Sequence, residues 1–254
     1  MEMGTQLAGK TKSWRPQLTR WEKRVGWAFF ALYIFAFPFL VGGVVRILDE
    51  HLELAFTPAQ SNAVYYTVIL LLLIAVFWDF LRHAVTILLD NLRPSIFVLG
   101  VGLLAGLAGT CLAGAIPLPA AIPLPAEDPF LVNPVPADYK EQYALAGGAT
   151  FAVVVLLRPA VEEILYRGLL FGSLRKKSRA LAYGVSAGLF ALAGVWQYAL
   201  VPEAGGALHL LRFIQYLPLG LVECWVYDVS GSVYTPMVLR MALQAAFLVF
   251  ALAA

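Results

Sequence analysis

The sequence predicts an all-α protein, a multi-pass membrane helix bundle with about seven transmembrane helices, because its apolar runs are of the length that crosses a bilayer. Three observations carry that prediction. The 254 residues are 61% hydrophobic and 13% charged, whereas about a quarter of a soluble domain is charged. The mean hydropathy is +0.77. The basic clusters all fall on one side once the apolar runs are threaded back and forth, as the positive-inside rule requires. A net charge of +2 gives no basic stripe of the kind that draws nucleic acid; the partner implied by composition is the lipid bilayer.

Residues 1–24 form a basic segment, with Lys10, Lys12, Arg15, Arg20, Lys23 and Arg24, which places the N-terminus in the cytoplasm. The first apolar run, Val25 to Leu48, is too long for the core of a cleaved signal peptide and reads as a retained helix. A polar loop from Asp49 to Asn62 precedes the second run, which begins at Ala63 and ends among Asp79, Arg82 and His83. The stretch from there to Arg93 is amphipathic and is expected to lie near the interface. The third run, Ser95 to Leu118, carries Gly100, Gly102, Gly106 and Gly109; glycines so spaced let helix backbones approach closely in lipid. Repeated prolines from Ile116 to Gln142 cannot continue a helix and form an outer loop. The fourth run, Tyr143 to Leu174, stops at Arg175, Lys176, Lys177 and Arg179, and three more follow at Ala180 to Leu200, Leu208 to Tyr227 and Gly231 to Ala254. Residues 25–254 thus read as a single membrane domain at the cell membrane, with the C-terminus outside. Cys111 and Cys224, both in apolar runs, read as small hydrophobes. Tyr65, Tyr66, Trp78, Trp196, Tyr198, Trp225 and Tyr227 fall near span ends, as an aromatic belt does.

The fourth run holds the chemistry. Arg158, Glu162, Glu163 and Arg167 sit in a stretch apolar enough to span, where ionisable groups are costly and face a protein interior or a wet cavity. Adjacent glutamates usually mark a solvated helix face, but the flanks FAVVVLL and ILYRGLLFG leave no soluble amphipathic pattern. Glu163 and Arg167 form an i,i+4 pair, while Glu162 shares its stripe with Arg158 and Tyr166. This division predicts one carboxylate paired for structure and another, Glu162, free for chemistry; a purely structural ion cluster tying helices together is the competing reading. Glu162 lies roughly 20 Å in from the basic end at about 1.5 Å per residue. Pro159 is expected to kink the helix one turn earlier. Glu223, in the sixth run, is a further intramembrane carboxylate.

Glu162, Glu163, Arg167 and Gly168 resemble the first motif of the CAAX protease and bacteriocin-processing family of intramembrane proteases. Gly220 to Pro236 is similar to the segment leading into that family's last motif, and the resemblance spans roughly residues 145–250. The second motif ends in histidine four residues after a phenylalanine; here Phe190 is followed by Gly194. The third begins with histidine and has Asn or Asp four residues on; here the pair is Arg240 and Gln244. This is a divergent member pattern, with both motif histidines absent.

The resemblance implies a membrane bundle that hydrolyses a peptide bond in a membrane or lipidated protein, with Glu162 as the base that activates water and Glu163 with Arg167 as its support. The family's metal, sometimes proposed, is not expected here. Gly194 offers no ligand, and Arg240 stays protonated, so no cofactor is assigned. Arg240 and Gln244 remain able to donate to an oxyanion. If Arg240 reaches Glu162 it holds that carboxylate ionised and weakens it as a base; Glu223 is an alternative partner for Arg240. Two functions follow: an intramembrane endopeptidase, or a catalytically inactive relative that binds or chaperones a membrane partner. A proton-relay transporter using Glu162, Glu163 and Glu223 is a weaker third, because no inverted repeat is visible.

Overall fold

The computed structural model describes residues 18–37, 44, 47, 51, 56–116, 138–196 and 210–253. Among these every regular element is a helix. Most of the proline-rich loop, together with Gln197, Tyr198 and His209, lies outside the described residues.

Helix α1 (Arg20–Phe35) starts inside the segment expected to be a basic tail. The cause is local. Thr19 and Glu22 form a reciprocal capping box, which satisfies donors that a helix start leaves orphaned. The other Glu22 carboxylate oxygen accepts the Phe80 N–H at 2.9 Å. That bond fastens the start of α1 to the corner between α2 (Pro58–Val76) and α3 (Trp78–Asp90). Helix α2 opens on a second capping box, Thr57 with Gln60. The short α3 buries Phe80, Leu81 and Ala84 and leaves Trp78 and Leu89 exposed, the amphipathic pattern expected for this stretch.

Helix α4 (Leu92–Gly114) carries the glycine stripe. A side chain at Gly102 would meet Val226 at 2.7 Å, and one at Gly106 would meet Leu243 at 2.9 Å, whereas Gly100 faces open space. The stripe is therefore a packing seam, and α4 lies along it against α9 (Phe213–Ser230) and α10 (Tyr234–Ala253).

The motif helix runs from Tyr143 to Leu174. It comprises the end of α5 (Asp138–Phe151), a π-helical segment (Ala152–Leu157), α6 (Arg158–Glu163), a second π-helical segment (Ile164–Phe171) and α7 (Gly172–Leu174). Pro159, where a kink is expected, lies inside this continuous helix, flanked on both sides by π-helical segments, whose wide turns accommodate a residue that has no N–H to donate. The non-helical residue is Ala146, at φ −150 and ψ 62.

Helix α8 (Arg179–Ala193) returns antiparallel along the second π segment, with the Ser186 hydroxyl donating to the Tyr166 carbonyl at 2.8 Å. Among the described residues four helices are long and apolar enough to cross a membrane: Pro58–Val76, Leu92–Gly114, Tyr143–Leu174 and Tyr234–Ala253. Helix α8 is apolar but shorter, so the count of seven crossings stays an expectation. The aromatic belt needs one correction. Tyr227 is buried and packs edge-on against Phe171 at 5.5 Å, as part of the core.

Candidate functional site

Glu162, Glu163 and Arg167 all lie inside the bundle, and α9 and α10 bring Glu223 and Arg240 against them. The result is an alternating chain of three arginines and three glutamates. Arg158 Nε donates to Glu162 Oε1 at 2.7 Å, and Arg240 Nη2 donates to Glu162 Oε2 at 2.6 Å. Arg240 Nη1 donates in turn to Glu223 Oε1 at 3.0 Å, and Arg167 Nη2 donates to Glu223 Oε2. Arg167 closes the row on Glu163, Nη1 to Oε1, at 3.1 Å. Arg167 also donates to the Gly220 carbonyl at 3.3 Å. The six charges cancel, which is the condition for keeping them so deep.

The i,i+4 pairing of Glu163 with Arg167 and the shared stripe of Arg158 and Glu162 are present as expected. The idea that Glu162 is left free is not. Both its oxygens are engaged, one by its own helix and one by α10, because Arg240 reaches back across the bundle. Glu223 proves to be a partner of both Arg240 and Arg167, so the two alternatives for Arg240 coexist.

Phe190 stands between the two inner arginines. The Arg167 guanidinium lies 4.6 Å from the ring centroid and that of Arg240 lies 4.4 Å from it. A ring presents negative charge on its faces, so it relieves the repulsion of two like charges that share Glu223. Tyr166, on the same stripe as Glu162, packs edge-on against Phe30 at 5.4 Å and Phe190 at 5.6 Å.

At Gly194 the backbone is ordinary, φ −70 and ψ −17, and any residue could adopt it. The space is what differs: a side chain there would meet ring carbons of Tyr216 at 3.2 Å. The room for a histidine at this position is thus filled from α9. Gly194→His is expected to lower stability by about 1–3 kcal/mol through overpacking, and Tyr216→Ala in the same protein to recover most of that loss. Thermal melts of the single and double variants check this. Equal melting of Gly194→His and the parent would show that Tyr216 is not the obstacle.

Gln244 is buried one turn beyond Arg240, and its Oε1 has no hydrogen-bond partner among the described residues. The residues present do not suit a divalent cation. Every carboxylate at the site is interleaved with a guanidinium, and among the described residues no three His, Cys, Asp or Glu side chains are arranged so that they could hold a metal ion.

Three contributors were missed in the sequence. Tyr216 and Ser186 act through contacts distant in the chain, with no local signal. Asp228 accepts from Arg175 Nε at 2.6 Å, pairs with Arg179 Nε at 2.9 Å and accepts from the Tyr183 hydroxyl at 3.2 Å. It clamps the basic turn after the motif helix to the end of α9, and its signal in the sequence is a lone acid in a run that ends near a basic cluster.

Residues 145–246 match the family model Rce1-like, described as type II CAAX prenyl endopeptidase Rce1-like. No curated protein and no solved structure gives a significant match. The matched span begins in the first turn of the motif helix and ends just beyond Gln244, so it encloses every residue of the ion chain. Across residues 145–246 the chain is thus similar to the Rce1-like type II CAAX prenyl endopeptidases.

Proposed function

We propose that this protein uses the CAAX endopeptidase scaffold to hold a membrane or lipid-linked polypeptide without cleaving it. At the level of the family, an Rce1-like domain implies a CAAX protease-type intramembrane endopeptidase with peptide or protein substrates in a membrane setting. The observation that supports the narrower reading is the Arg240 guanidinium 2.6 Å from Glu162. A general base must take a proton from water. A carboxylate gripped by two guanidinium groups is stabilised as the anion and has little drive to do so. The histidine positions that would help it hold glycine and arginine. The proposal takes residues 25–254 as one membrane domain of the cell membrane, with the basic end in the cytoplasm and the C-terminus outside.

A second reading, hydrolysis with Glu162 as base, is favoured by one observation. Arg158 and Glu162 are the least buried pair of the six-residue ion row, with side chains 22% and 8% exposed, which makes them the members of the row that an entering polypeptide would reach first. On that reading Glu162 takes a proton from water while the hydroxyl adds to the carbonyl carbon. Arg240 and the Gln244 amide donate to the oxyanion, and the proton then passes to the departing amine.

The test is proteolysis by the purified protein, in detergent, of membrane-spanning and C-terminally lipidated peptides, beside Glu162→Gln, with capture of intact peptide measured in parallel. Capture without cleavage is expected. Cleavage that disappears in Glu162→Gln would establish the second reading and overturn the first.

A further inference from the structure

Tyr166 carries a hydroxyl that nothing in the fold uses. The residue is 1% exposed, and the hydroxyl has no hydrogen-bond partner among the described residues. The rest of Tyr166 is held in place. Its carbonyl accepts from the Ser186 hydroxyl at 2.8 Å, and its ring lies edge-on to Phe30 of α1 at 5.4 Å and to Phe190 of α8 at 5.6 Å. A buried polar group left unpaired costs free energy, and phenylalanine at this position would keep both ring contacts without that cost. A hydrogen-bond acceptor brought in from outside the chain removes the penalty.

The place of the hydroxyl narrows what that acceptor is. Tyr166 lies one turn from Glu162 and two from Arg158 on a single stripe of the motif helix, and Glu162 is the charge of the ion row that acts on the phenol most strongly. Arg158 and Glu162 have the most exposed side chains of the row, 22% and 8%, so the hydroxyl stands beside the end of the row nearest the surface. A phenol has one hydrogen to donate. The acceptor it suits here is neutral, because both Glu162 oxygens already hold guanidinium groups and a further anion beside them would be an uncompensated buried charge. A polypeptide brings one neutral acceptor per residue, the main-chain carbonyl, and away from water that carbonyl needs a donor. We infer that the Tyr166 hydroxyl donates to a main-chain carbonyl of the polypeptide held at this site, and so sets which stretch of it lies against Glu162. The inference rests on the capture of a polypeptide proposed above.

The experiment is binding of a fluorescent, C-terminally lipidated peptide to the full chain in detergent, read by anisotropy, for the parent and for Tyr166→Phe. Affinity is expected to fall about tenfold in Tyr166→Phe, the effect of losing one hydrogen bond. Its melting temperature without peptide is expected to stay at or above that of the parent. A series of peptides then carries a thioamide, whose sulfur is a weaker acceptor than oxygen, at one residue at a time. One position is expected to weaken binding to the parent and to leave binding to Tyr166→Phe unchanged, a coupling that a packing role would not produce. Equal affinity of the two proteins for the unmodified peptide would overturn the assignment while leaving capture intact, and so would thioamide effects that are the same in both. A lower melting temperature for Tyr166→Phe would put the partner of the hydroxyl inside the protein and overturn the assignment as well. No capture by the parent would overturn the proposed function, and this inference with it.

Discussion

Arg240→Ala is expected to cost about 3–5 kcal/mol, the range seen when one partner of a buried ion pair is removed. That corresponds to a melting temperature lower by on the order of 10 °C for a chain of this size. The magnitude follows from what is stranded. Arg240 is bonded to Glu162 at 2.6 Å and to Glu223 at 3.0 Å, and its loss leaves a net negative charge among side chains that are almost wholly buried. The guanidinium contact with the Phe190 ring goes with it. Thermal unfolding in detergent measures the effect, with circular dichroism as the readout. A melting temperature within 2 °C of the parent, on the order of the shift from a 1 kcal/mol change, would mean that the row of charges contributes little.

Glu223→Leu should be similarly damaging alone, because it leaves Arg167 and Arg240 facing each other across Phe190 with one shared anion gone. The informative variant combines it with Arg240→Leu. Removing this adjacent pair cuts the row into two self-contained neutral pairs, Arg158 with Glu162 and Glu163 with Arg167. Buried ion pairs replaced together by apolar groups are often tolerated. The double variant is therefore expected to be more stable than the sum of the singles by up to about 3 kcal/mol, the upper range of coupling between contacting residues. Strict additivity would show that the two side chains do not act as links of one chain.

What could be read in the sequence was whatever has a short range. Charge in an apolar run forces burial, and an interval of four residues on a helix forces contact, so Arg158 with Glu162 and Glu163 with Arg167 were legible. So was the glycine seam of α4, since small residues in a membrane helix have few other uses. The pairing of Arg240 with Glu162 was accessible because the motif resemblance put both at one site. The closed row was not, because it depends on α9 and α10 meeting the motif helix at a particular height, and Glu223 bridging two arginines is a property of that meeting. Tyr216 filling the space beside Gly194 was hidden for the same reason. The inward turn of Glu22 was overlooked although Thr19-x-x-Glu22 is a local capping signature; its basic surroundings suggested a tail. The π turns around Pro159 have no marker in the residues themselves.

The neutrality of the ion row has a consequence for how the protein enters its membrane. The motif helix brings Arg158, Glu162, Glu163 and Arg167, two of each sign, already paired within its own turns, and it can insert as a balanced segment. Helix α9 brings Glu223 alone to the row, and α10 brings Arg240 alone. Each would face the hydrocarbon with a bare charge, at about 2.5–3.5 kcal/mol on insertion scales. The left-handed turn at Gly231, φ 72, joins these two helices as a hairpin in which Arg240 Nη1 and Glu223 Oε1 lie 3.0 Å apart, so the two charges neutralise one another within it. The row is thus assembled from parts that are each close to neutral, a helix with two charges of each sign and a hairpin whose two charges cancel.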